Sequence, residues 1–81
     1  GAPGMNFITI SGRTLVNVLE PGEISPDELR AAGVADDSVV RVNRQGDIEV
    51  RRRAEWDVIG GLIGDFENRL KHATGMEWAP D

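Results

Sequence analysis

Apolar positions cluster first in Phe7-Ile8-Thr9-Ile10-Ser11-Gly12-Arg13-Thr14-Leu15-Val16-Asn17-Val18, a run rich in β-branched residues and broken once at Ser11-Gly12. That pattern predicts two short strands joined by a tight turn, with Ile8 opposite Leu15 and Phe7 opposite Val16. Glu20-Pro21-Gly22 ends the second strand, because proline cannot donate to a ladder and glycine permits a reversal. In Ser25-Pro26-Asp27-Glu28-Leu29-Arg30-Ala31-Ala32-Gly33 the signals are those of a two-turn helix. Ser25 stands as N-cap, Pro26 at the first helical position, Glu28 completes a capping box and Gly33 follows the C-terminus. So short a helix is not stable alone, so Leu29 and Ala32 must dock it.

Val39-Val40-Arg41-Val42-Asn43 and Asp47-Ile48-Glu49-Val50-Arg51 flank a loop ending in Gly46. A three-residue hairpin loop there puts Val42 opposite Ile48 and Val40 opposite Val50 on one face. On the other face Arg41 meets Glu49 as a cross-strand ion pair. From Ala54 to Thr74 the spacing turns helical: Trp56, Ile59, Ile63, Phe66, Leu70 and Ala73 recur at intervals of three and four. Gly60, Gly61 and Gly64 interrupt this stripe, each costing roughly 0.8–1 kcal/mol in a helix interior. They predict a close backbone approach, a kink, or a helix ordered by binding. Gly75 reads as its C-cap.

The expected fold class is therefore α+β. A ββαββ core, two β-hairpins around a short helix, spans residues 5–53, a C-terminal amphipathic helix 54–75 and a tail 76–81. Gly1 to Gly4 precede Met5 and read as a cloning remnant. A single domain of this size buries only about 60% of its unfolded surface, which makes association with a second copy an expected source of stability. No apolar run is long enough to span a membrane, and no leader follows Met5, so a cytoplasmic protein is expected.

Charge changes the picture more than composition does. The 81 residues carry a net −5, distributed as −5 over 20–37, +3 over 41–53 and −4 over 54–81, with Arg13 positive. A net acidic chain has no general attraction for phosphate, so any nucleic-acid contact must gather its arginines on one face. There is no cysteine and one histidine, His72, with no obvious partner. A lone imidazole among scattered carboxylates is a poor metal site, and Gly60-Gly61 lacks the lysine of a phosphate-cradling loop. No carboxylate pair is singled out for acid–base work. The chain is expected to be neither an enzyme nor a cofactor or metal binder.

Two features carry candidate function. The arginines Arg13, Arg30, Arg41, Arg44 and Arg51 to Arg53 either grip phosphates and base edges or serve local pairing and linkage. No aromatics interleave with them, which argues against stacking of single strands. The stripe of Trp56, Ile59, Ile63, Phe66 and Leu70, with Trp78 in the tail, either covers the chain's own sheet or docks a partner protein.

The run Asp27-Glu28-Leu29-Arg30-Ala31-Ala32-Gly33-Val34, the acidic turn Asp36-Asp37-Ser38 leading into Val39-Val40-Arg41-Val42, and Gly46-Asp47-Ile48-Glu49-Val50-Arg51 together resemble AbrB/MazE-type swapped-hairpin proteins. The likeness covers about residues 7–52. It implies a homodimer interleaving hairpins into one barrel, in the manner of an antitoxin or transition-state regulator. It implies double-stranded DNA contacts at Arg13 and Arg30, with Arg44 at the hairpin tip as a further candidate. It also implies a protein partner held by the C-terminal helix and Trp78. The pattern departs from the family where Leu19-Glu20-Pro21-Gly22-Glu23-Ile24 intervenes before the helix, and where Arg13 alone remains of the basic first hairpin. The rival expectation is an acidic protein–protein interaction or adaptor module with no DNA role.

Overall fold

The computed structural model describes residues 6–78. The expected remnant 1–4 and the last tail positions, 79–81, lie outside the described residues. The order is β1 (Phe7–Ser11), α1 (Gly12–Val18), α2 (Pro26–Ala31), β2 (Val39–Asn43), β3 (Asp47–Arg51), β4 (Trp56–Gly61) and α3 (Phe66–Thr74). The four strands form one antiparallel sheet in the order β1-β2-β3-β4. The protein is a small α+β domain, but the predicted ββαββ order does not describe it.

The first correction concerns residues 12–18, which form a helix and not the second strand of a hairpin. Phe7 and Ile8 accordingly pair with Asn43 and Val42 of β2, not with Val16 and Leu15. The physical reason begins at Ser11. Its hydroxyl accepts from the Thr14 backbone N–H at 3.1 Å, which makes it an N-cap and not a turn residue. Leu15 and Val18, three apart, then face the core with Gly12. Packing overrides the weak helix preference of valine and threonine here.

The second correction concerns residues 54–75, expected as one helix. They form β4, a connecting turn and α3. β4 pairs with β3 through Glu49–Val58 and Arg51–Trp56, so the expected domain boundary at 53 falls inside the sheet. A register shift between Ile48 and Glu49 leaves Ile59 as an extra residue, a bulge. The bulge turns Gly60 to the helix side, where an added Cβ would stand 3.4 Å from Ile24. Gly64 takes φ +67°, which stops regular structure before α3. The glycines thus mark a bulged strand and a turn. Of the apolar stripe, Ile59, Phe66 and Leu70 pack in or against the core, while Trp56 lies on the other face of the sheet and Ile63 is exposed in the turn.

Three local expectations agree with the structure. Ser25 and Glu28 exchange both hydrogen bonds of the capping box. Val40–Val50, Arg41–Glu49 and Val42–Ile48 pair in the expected register. Gly75 closes α3 at φ 75°.

Alternation sorts the sheet into two faces. Ile8, Ile10, Val40, Val42, Ile48 and Val50 point to one side and are buried under all three helices, with Leu15, Val18, Leu29 and Leu70. Trp78 joins this core, and its indole N–H donates to the Val42 carbonyl at 3.0 Å. Phe66 meets Trp78 edge to face, with centroids 5.7 Å apart, and also lies over Gly46. Because Phe66 is only half-buried, Phe66→Ala is expected to cost about 2 kcal/mol, below the range for a sealed phenylalanine. Urea unfolding at constant m-value checks it, and an unchanged midpoint would remove Phe66 from the core.

One polar cluster ties the helix layer together. Glu23 reaches inward from the α1–α2 connection until its side chain is fully buried. Its carboxylate accepts from Arg69 Nη1 at 2.9 Å and Nη2 at 2.7 Å, and from the backbone N–H groups of Ile63 and Glu20, each at 2.7 Å. Burial pushes the Glu23 pKa up, but the hydrogen bonds from Arg69 and the two N–H groups outweigh it and leave the pKa below its ordinary 4.5. A carboxylate lowered in the folded state adds stability that is present above its unfolded pKa. That stability is lost as pH falls through the folded value. Stability is therefore expected to fall as pH drops below about 4.5, and Glu23→Gln is expected to flatten that acid limb. Chemical denaturation from pH 3 to pH 7 reads both curves; parallel curves would contradict the pairing.

Candidate functional site

Among the described residues, no helix lies over the second face of the sheet. Antiparallel sheets commonly leave such a face to water and mark it with polar residues. Here it is mixed. The middle row across the strands reads Thr9, Arg41, Glu49, Val58. Toward one end Ser11 lies beside Val39, and Arg51 beside Trp56. Toward the other Phe7 lies beside Asn43, and Asp47 beside Gly61.

Arg41 organises this face. Its guanidinium carbon stands 3.8 Å from the Phe7 ring centroid and 4.1 Å from that of Trp56, so the planar cation is held between two aromatic rings. Its Nε donates to the Glu49 carboxylate. A half-buried cation–π contact is worth on the order of 1 kcal/mol, and two around one guanidinium lock a side chain that otherwise has many rotamers. Arg51 approaches Trp56 from another side, 5.6 Å from the centroid. Val39 and Val58 flank the stack and are 46% and 60% exposed. Arg41 and Arg51 balance Asp47 and Glu49, so this face is neutral and the chain's whole acidic excess lies elsewhere.

The residues expected to contact DNA are not brought together. Arg13 opens α1 and lies 3.5 Å from Asp36. Arg30 pairs with Asp27 one helical turn away. Arg30 forms part of the wall of a cavity of about 590 Å³ between α1 and α2, with Val16, Pro26, Leu29 and Val34, and Arg13's partner Asp36 lines it too. Arg44 sits in the β2–β3 turn, at the far end of β2 from that cavity. The length of a five-residue strand, about 17 Å, separates the two groups. Arg52 donates to the Ala32 carbonyl at 2.7 Å and faces Asp57, which fastens α2 to β4.

The six residues expected to hold a partner do not share a surface either. Leu70 and Trp78 are in the chain's own core. Phe66 and Ile59 are half-buried against it. Ile63 is exposed in the β4–α3 turn, and Trp56 is on the open sheet face. Among the described residues no three histidine, cysteine or carboxylate side chains gather as metal ligands, and no helix is long and apolar enough to cross a membrane.

Sequence reading missed Phe7 and the stack it forms. Aromatics do interleave with arginines here, in space and not along the chain. The available signal was the alternation of Phe7, Thr9 and Ser11 against Ile8 and Ile10, which assigns Phe7 to the face opposite the core. Trp56 was hidden because its segment was read as helical. Comparison with known protein families, with curated proteins and with solved structures finds no match.

Proposed function

We propose that the chain is a non-enzymatic protein–protein interaction module that works through the open face of its sheet. The observation that carries this is the Phe7–Arg41–Trp56 stack between two exposed valines, on a neutral face of an acidic domain. Tryptophan and arginine are the side chains most often responsible for affinity in protein interfaces. Here both are already ordered before any partner arrives, which lowers the entropy lost on association. Of the two expectations, the adaptor reading gains from this arrangement. The antitoxin-like reading needs a first hairpin, which residues 7–18 do not form within this chain. It also needs a converging set of arginines.

The experiment is a gel shift with double-stranded DNA at about 50 mM salt, where phosphate contacts are strong. No retention is expected for the whole chain. Retention that weakens steeply with salt and disappears in Arg13→Ala with Arg30→Ala would overturn the proposal in favour of a DNA-binding regulator.

A further inference from the structure

We infer that the open sheet face binds a second copy of this chain, face to face, about a two-fold axis that runs parallel to the strands between β2 and β3. The inference rests on the proposed role of that face and names its occupant. Such an axis lays β2 over the partner's β3 and β1 over the partner's β4. Arg41 then stands over a partner Glu49 and Glu49 over a partner Arg41, so the two internal pairs become an alternating cluster of four charges. An isologous contact requires this kind of self-complementarity.

Shape follows the same operator. In the middle row Thr9 comes to lie over the exposed Val58, with the positions exchanged on the other side of the axis. In the end rows Ser11 lies over Trp56, and Phe7 over Gly61. In both end rows a bulky side chain on one edge strand meets a small one on the other, and in the middle row two side chains of similar size meet.

Charge leaves this face open to a second copy. Two bodies of net −5 repel wherever their acidic surfaces meet, and the sheet face is where they approach without that cost. Four strands about 4.8 Å apart and five residues long present roughly 300 Å² in projection per copy, and side-chain relief brings the pair to about 1,000 Å². That is the low end of specific interfaces, so the association is expected to be weak and reversible. Added salt screens the residual repulsion and should strengthen the pair, opposite to the effect on a phosphate-bound complex.

Light scattering on the whole chain from about 1 to 500 μM tests it, with the expected mass rising from 8.8 kDa toward twice that value and rising further with salt. Val58→Lys is expected to hold the mass at one copy, while Ile63→Lys, equally exposed but away from the face, leaves the rise intact. A constant single-copy mass, a rise that Val58→Lys does not affect, or growth beyond two copies would each overturn the inference. Because none of these involves DNA, a failure here leaves the gel-shift result to decide the broader reading.

Discussion

Replacing Gly12 with alanine is expected to lower the melting temperature by about 15 °C or more, the equivalent of at least ~3 kcal/mol in a domain of this size. The added Cβ would lie 2.0 Å from the Ala35 carbonyl oxygen and 3.1 Å from Val34 Cγ1. The first neighbour is backbone and cannot rotate away. Two hydrogen bonds fix it in place, Gly12 N–H to Ser38 O at 2.9 Å and Arg13 N–H to Asp36 O at 3.0 Å. These satisfy free N–H groups at the start of α1 and align the 35–38 turn for its entry into β2. The methyl group must part the helix from the turn and break both bonds. Alanine's better helix propensity, worth about 1 kcal/mol, offsets only part of this. Gly64→Ala is the comparison: φ is +67° there, but nothing lies within 4 Å, so only the conformational penalty of about 1 kcal/mol applies. If the two variants melt alike, α1 does not sit against the 35–38 turn as described.

The second large effect is expected at Arg69. Its Nη1 donates to the Val18 carbonyl and to Glu23, and Nη2 to Glu23 and to the Ile63 carbonyl at 2.7 Å. Nε lies 3.1 Å from Glu20 without hydrogen-bond geometry, so that contact is purely electrostatic. One guanidinium thereby fastens the end of α1, the following loop and the β4–α3 turn to α3. Arg69→Met keeps much of the stem but leaves the Glu23 carboxylate buried with only the Ile63 and Glu20 N–H donors. Breaking a buried pair from one side costs 3–5 kcal/mol in general. About 3 kcal/mol is expected here, since the arginine retains some exposure. Adding Glu23→Gln removes the stranded charge and should recover part of that loss. A double-mutant cycle in urea reads the coupling, and additive effects would show that the two side chains act independently.

The hairpin 39–51 and the capped helix after Ser25 were legible because several local signals coincide there. Alternation, a glycine at the tip, the Arg41–Glu49 pairing and the Ser-Pro-x-Glu start all specify the same elements. Residues 12–18 were not legible. Their helix depends on a cap at Ser11 and on packing of Leu15 and Val18 that a run of β-branched residues does not announce. In 56–74 the difficulty was periodicity: a bulged strand followed by a short helix imitates one long amphipathic stripe. The candidate site inherited that error. Its aromatic partners lie on β1 and β4, the two edges of the sheet, and local pattern can place neither beside Arg41.

Trp78 gives the order of residues a consequence in time. Its indole fills the core and is tied to β2, a central strand more than thirty positions earlier. During synthesis the hairpin can form as soon as it emerges, but the sheet's inner layer stays unsealed until Trp78 leaves the ribosome. Until then the nascent chain exposes the very valines and isoleucines it will later bury, and this interval is when it is most open to chaperones and proteases.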